Sequence, residues 1–336
     1  VWYHWHDGNC AVTIAACYLS TEGVALGADS TTSNQIPAGG GMAGLHYFNF
    51  NQKLFELGEN GTVGVLTWGL GSAGFVSYRT LLAELADDVV KNPPADMTAL
   101  ALRWRDHFWV QYQAQLGPLL QRCKDLDAKT PYVPAAPAPP AGPVAGTAPA
   151  MAAAGAAPIP GPPAIARTEA EEKELGLLRN ALVVGFCVAG YWLPGGRATT
   201  AFELIFDPLS VAPPTPKQLA TPGYYFWGAP NFMKRLILGA DDTLKENIVK
   251  SGKWAGTDAE LSAIFAKETL GHAILPIREA VDFLHTCIYS TIKALKFSNL
   301  FQICGGPIEL AVITTDRRFR WVRHKSWDAA ILESNL

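Results

Sequence analysis

No apolar run in this chain reaches the roughly 18 residues that a membrane-spanning helix requires, and the opening residues VWYHWHDGNC lack the basic end and apolar centre of a secretory signal. The expected location is therefore the cytoplasm. Neither sign of charge is in excess. The 27 basic residues stand against 30 acidic ones, which gives no electrostatic reason to expect nucleic acid or an anionic membrane as a partner. A GxxxxGK[ST] loop is also missing, so any ATP-driven unfolding falls to a separate ATPase. Six cysteines (Cys10, Cys17, Cys123, Cys187, Cys287, Cys304) lie far apart without a CxxC pair, in a chain of 336 residues that is too large to need disulfide staples. Most of them read as buried thiols. His4, His6, Asp7 and Cys10 crowd together with ligand chemistry, but no second cluster completes a site, so neither metal nor cofactor is expected.

Apolar residues are plentiful. They make up 49% of the chain, ample for a sizeable core. Short β-rich runs punctuated by glycine and asparagine come first: VTIAACYL, GVALGAD, KLFEL and TVGVLTW. Ser30 to Gln52, between the second and third, is rich in glycine, serine and asparagine and is expected to be a long functional or interface loop. After Gly71 the period turns helical, through Phe75 to Val90 and, past the breaker Asn92-Pro93-Pro94, from Asp96 to about Leu126. Residues 131–166 are almost wholly alanine, proline and glycine, which cannot pack a core and reads as an insertion. Strands return in ALVVGFCVAGYW, TTAFELIFD and GYYFWGA, followed by helical segments ending in PIREAVDFLHTCIYSTIKALKF, then IELAVITTD and RFRWV. The order predicts an α+β fold of two mainly antiparallel sheets covered by helices on both sides, a four-layer αββα sandwich.

The stretch TIAACYLSTEGVALGADSTTS resembles the opening of proteasome β-subunits and the bacterial HslV peptidase, with an ungapped match from Thr13 to Asp29. KLFEL resembles that family's lysine-bearing third strand, and GVLTWGLGSAGFVSYRTLLAEL its glycine-rich fourth strand running into the first helix. GGPIELAVITTDRRFRWV looks like the closing strands. The resemblance implies an N-terminal-nucleophile (Ntn) hydrolase domain over 13–336, preceded by a leader or propeptide of residues 1–12. It also implies self-association in a ring or smaller oligomer, with peptide or unfolded protein as substrate.

The same resemblance assigns roles. Thr13 matches the nucleophile, activated by its own α-amine once the preceding residues are removed. Asp29 and Lys53 match the aspartate and lysine beside it; the lysine's charge helps the hydroxyl lose its proton and the aspartate orients the lysine. Gly69 or Gly71 matches the oxyanion-binding position, and both also suit a strand-to-helix bend. Cys304 falls where the family often has a serine, and reads either as a supporting contact or as a buried thiol. Taken from the residues alone, Thr13 fits a β-strand, Asp29 a turn cap and Lys53 a strand-edge charge. Cys10 is a rival nucleophile, but it lies three residues early, which spoils strand parity.

Two departures bear on activity. Val12, not glycine, precedes Thr13, and without removal of the leader Thr13 has no free amine to act as base. FWGAPNF and SNLFQICGG correspond to the family's serine turn and the aspartate shortly before its final strands, and neither supplies an evident aspartate. The expectations are thus a self-processing threonine peptidase or amidase or, alternatively, a latent or inactive homologue that serves as an assembly or binding module.

Overall fold

The computed structural model describes residues 13–38, 41–49, 51–59, 61–133, 165–193, 195–269, 274–298 and 304–325. The strands are β1 (Ile14–Leu19), β2 (Gly23–Ala28), β3 (Thr32–Ala38), β4 (Gly41–Phe48), β5 (Leu54–Glu56) and β6 (Val63–Gly69), then β7 (Val184–Gly190), β8 (Thr200–Phe206), β9 (Lys217–Gln218), β10 (Gly223–Gly228), β11 (Glu309–Thr314) and β12 (Arg317–Arg323). The helices are α1 (Tyr78–Lys91), α2 (Met97–Asp127), α3 (Glu169–Leu182), α4 (Asn231–Leu238), α5 (Asp242–Lys250), α6 (Asp258–Lys267) and α7 (Ile277–Lys296). Two five-stranded antiparallel sheets run β10-β1-β2-β11-β12 and β5-β6-β7-β8-β9, and β3 pairs with β4 alone.

Three layers of apolar contact follow from strand alternation. Ile14, Ala16 and Tyr18 of β1 face α7, where they pack with Ala280, Leu284 and Ile288. The alternate residues Ala15, Cys17 and Leu19 face the second sheet and meet Leu54, Leu66 and Cys187. On the far side of that sheet Val63, Val65, Val184 and Phe186 pack under α1 and α2. All six residues of β1 are buried, as are all six of β2, which explains why these strands read as unbroken apolar runs. Phe108 of α2 anchors the helical side, its ring centroid 4.7 Å from those of both Phe186 and Phe206.

Helix starts are set by side chains. Ser77 accepts from the Thr80 amide ahead of α1, and Asp96 accepts from the Ala99 amide ahead of α2. A tight turn that brings Ala73 against Val76 delays α1 past the predicted Phe75 start. The predicted loop at 30–52 is corrected: it holds the β3–β4 hairpin, with Thr32 opposite Phe48 at its base. Helix α3, not predicted, carries a capping box between Thr168 and Glu171.

Most of the alanine/proline tract lies outside the described residues, but its two ends meet. The Thr130 amide donates to Ile165 O at 3.2 Å and the Arg167 amide to Thr130 O at 2.9 Å. Arg167 Nη1 also donates to the carbonyls of Leu126 and Lys129, both at 2.9 Å, at the C-terminus of α2. Because the ends close on one another, a long excursion here costs the domain little order. Among the described residues, no helix is long and apolar enough to cross a membrane.

Candidate active site

Thr13, Asp29 and Lys53 come from three separate segments and converge at one end of the two sheets. Thr13 leads into β1, Asp29 follows β2 in the same sheet, and Lys53 leads into β5 of the other. The antiparallel register sets Ala15 opposite Ala28. One step further, the Asp29 amide donates to Ile14 O at 3.1 Å and Asp29 Oδ1 accepts from the Ile14 amide at 3.0 Å. Lys53 Nζ donates to that same Oδ1 at 2.7 Å and also to Thr31 O. The Thr13–Ile14 peptide, the aspartate and the lysine therefore share one carboxylate oxygen.

The other oxygen is equally occupied. Asp29 Oδ2 accepts from the Gly305 amide at 2.9 Å and from the Thr31 amide at 3.3 Å. Thr13 and Lys53 are 2% and 3% exposed and Asp29 is fully buried, so the ion pair lies in a low-dielectric region where a broken partner is costly. Three amides and an ammonium on one carboxylate fix its orientation.

The backbone around Thr13 is held from the opposite side by β10. The Ala229 amide donates to Thr13 O at 2.7 Å. Gly228 has φ +84°, and a Cβ there would stand 1.9 Å from Thr13 O, so only glycine lets β10 close on this residue. Sequence reasoning read GYYFWGA as a strand and marked FWGAPNF for supplying no aspartate. Its signal was the glycine at the strand end.

The two glycines proposed for the oxyanion position part company. Gly69 has φ +82°, and a Cβ there would lie 2.4 Å from Val183 O, which ties it to the entry of β7. Gly71 instead faces the hairpin base: a Cβ there would meet Thr32 Oγ1 at 3.2 Å and Asn51 Nδ2 at 3.7 Å. Cys304 is fully buried, and burial pushes its thiol well above the ordinary range, with the Asp29 charge adding to the shift and Lys53 opposing it. It adjoins the site, and the direct contact to Asp29 comes from the next residue, Gly305. Cys10, His4, His6 and Asp7 lie outside the described residues. Among the described residues no cluster of three or more His, Cys, Asp or Glu side chains could hold a metal ion.

Sequence reasoning missed a second charged group beside the site. Lys325 Nζ donates to Asn51 O at 2.8 Å, Ser30 Oγ at 3.2 Å and Glu309 Oε2 at 3.3 Å. Glu309 is fully buried, with His324 Nε2 3.6 Å from its Oε1. Burial raises the Glu309 carboxyl above its usual range, against the pull of Lys325, and lowers the Lys325 ammonium, against the pull of Glu309.

No family model and no curated protein matches the chain. Solved structures do. An Anbu (ancestral beta-subunit) from Yersinia bercovieri aligns over 96% of this chain and 92% of its own, at 10% identity and a TM-score of 0.43. An Anbu Gly-1 mutant from Hyphomicrobium sp. strain MC1 aligns over 96% of both chains, at 12% identity and the same TM-score. These findings correct the sequence-based assignment to proteasome β-subunits and HslV: these two solved chains are ancestral β-subunits, and the likeness places this chain in neither of those families.

Proposed function

We propose that this chain is an Ntn hydrolase in which Thr13 is the nucleophile, Lys53 the activating cation and Asp29 the residue that orients it. The observation that carries this reading is the buried carboxylate of Asp29, which binds the Lys53 ammonium and the Ile14 amide through one oxygen. Two antiparallel sheets with helices packed outside each support the four-layer αββα arrangement expected for such an enzyme.

Maturation begins with attack of Thr13 Oγ on the Val12 carbonyl, which breaks the Val12–Thr13 amide and forms an ester; water then hydrolyses the ester and releases the leader of residues 1–12. The freed α-amine becomes the general base. In turnover it takes the Thr13 hydroxyl proton as Oγ attacks a substrate amide, passes that proton to the leaving amine, and leaves an acyl-enzyme for water to cleave. Lys53 stabilises the developing alkoxide. Gly69 and Gly71, at the bend that leaves β6, are the two proposed donors of an amide to the oxyanion. Peptides or unfolded proteins are the proposed substrates, and self-association is the proposed state of the working enzyme.

One observation favours a second reading, that of a latent assembly module. At the Thr13 carbonyl the chain supplies Gly228-Ala229-Pro230, with no hydroxyl to support catalysis. The variants Thr13→Ala and Thr13→Ser, assayed for leader loss by intact mass and for peptide hydrolysis, separate the two. The hydrolase reading expects loss of both activities in the first and partial retention in the second. Wild-type protein that neither processes nor hydrolyses would favour the module.

A further inference from the structure

Lys325 ties together the two segments that carry Asp29 and Lys53. Its three N–H donors go to Ser30 Oγ, Asn51 O and Glu309 Oε2, which exhausts what an ammonium can donate. Ser30 directly follows Asp29, and Asn51 lies two residues before Lys53. The two segments are also stitched directly, with the Asn51 amide donating to Ser30 O at 3.0 Å. Ser30 in turn is fastened to the loop that supplies the Gly305 amide to Asp29: its own amide donates to Gly305 O at 3.0 Å and its hydroxyl to Pro307 O at 2.7 Å. Lys325 therefore sits where three of the four segments that surround the aspartate come together, the fourth being the start of β1 with its Ile14 amide.

An apolar side chain would fill this position at lower cost if packing were its only purpose, since burying an ion pair gains little stability over hydrophobic residues of the same volume. Glu309 makes the point sharply. It is fully buried on β11, opposite Ala28 and so next to Asp29 in the sheet, and its Oε1 has no hydrogen bond among the described residues. The charged groups around the pair are His324 at 3.6 Å from Glu309, Arg79 from α1, which donates to Gln52 Oε1, and Lys53, whose charge acts on Lys325. A fully engaged ammonium held by a buried carboxylate constrains where the Ser30 and Asn51 segments lie.

We propose that Lys325, anchored by Glu309, is a positioning residue that holds the Ser30 and Asn51 segments in register so that Asp29 and Lys53 meet at the Thr13–Ile14 peptide. The catalytic side of this inference rests on the hydrolase reading. Its structural side does not.

The test uses the full chain with Lys325→Met and Lys325→Arg. Hydrogen exchange is read on peptides spanning 29–32 and 304–308, with the peptide over 184–190 of β7 as an internal reference. Loss of a charge-assisted anchor is expected to speed exchange in the first two by about tenfold in Lys325→Met while the β7 peptide holds, and Lys325→Arg is expected to restore protection. Thr13-directed electrophile labelling is expected to slow by about tenfold in Lys325→Met and to recover in Lys325→Arg. Unchanged exchange at the site, or a rise shared equally by β7, overturns the proposal. So does faster exchange with full-rate labelling. Wild-type protein that takes no label overturns the hydrolase reading instead, and the exchange result still decides the structural role of Lys325. Should Lys325→Met not fold, Glu309→Gln replaces it, with the same two-site signature expected and the same results counting against it.

Discussion

Replacing Asp29 with asparagine keeps the shape of the side chain and reverses the chemistry of one oxygen. Each carboxylate oxygen serves two donors: Oδ1 faces the Ile14 amide and the Lys53 ammonium, and Oδ2 faces the Thr31 and Gly305 amides. An asparagine has one acceptor and one NH2 group. Whichever way it turns, its NH2 meets two donors. A buried donor left unsatisfied costs about 1–3 kcal/mol, and removing one partner of a buried ion pair costs about 3–5 kcal/mol. These penalties overlap, so the expected loss is about 3–5 kcal/mol, read as a fall in the urea midpoint of unfolding at pH 7. A double-mutant cycle with Lys53→Met sharpens the test. With the ammonium gone, the asparagine NH2 can turn toward a single amide donor, so the double variant should be at least about 1 kcal/mol more stable than the sum of the singles. A loss below about 1 kcal/mol for Asp29→Asn, or strict additivity, would refute the buried four-donor carboxylate.

Gly228→Ala, which puts a Cβ against Thr13 O at a positive-φ position, should lower stability by about 2 kcal/mol or more and also block leader removal, as checked by denaturant midpoint and intact mass. Thiol reactivity offers an independent check. Burial pushes the Cys287 thiol up to about 12, and Cys17, Cys123, Cys187 and Cys304 are buried with it; iodoacetamide at pH 8 should leave all five unmodified until the protein is unfolded, as read by peptide mass spectrometry. The Glu309–Lys325 pair predicts a pH signature. A raised carboxyl contributes stability that is present below its ordinary value near ~4.3 and lost as pH rises through its folded value. A lowered ammonium contributes stability that is present above its ordinary value near ~10.4 and lost as pH falls through its folded value. Glu309→Leu with Lys325→Met should therefore flatten both slopes in a stability-versus-pH titration, with a midpoint at pH 7 equal to or above that of the wild type. Phe108→Ala, at the centre of the helical-side core, should cost about 3–5 kcal/mol by denaturant unfolding and leave any Thr13 labelling rate intact in the folded fraction.

Strands and long helices were legible in the sequence because burial imposes a period. IAACYL and GVALGA are apolar throughout since both of their faces are covered, and α2 shows its period over 31 residues. The β3–β4 hairpin escaped because Pro37 sits within its first strand and glycine recurs in its second, both of which read as loop. Helix α3 was hidden by the alanine/proline tract before it, although its Thr168-to-Glu171 capping box was available to read. Asp29 and Lys53, proposed from resemblance, do form a buried ion pair. What closes on Thr13 from β10, and on the segment after Asp29 from the chain beyond β12, was not legible, because Gly228 and Lys325 lie hundreds of residues from those positions and reach them only through the fold.

The central claim is that Thr13 becomes a free N-terminal nucleophile. The most direct test is the intact mass of untagged protein from its own source, before and after treatment with an electrophile that bonds to a terminal threonine's amine and hydroxyl. The account predicts a chain that begins at Thr13 and gains one adduct, mapped to Thr13 and absent from Thr13→Ala. A chain that retains the residues before Thr13 and takes no adduct would contradict it.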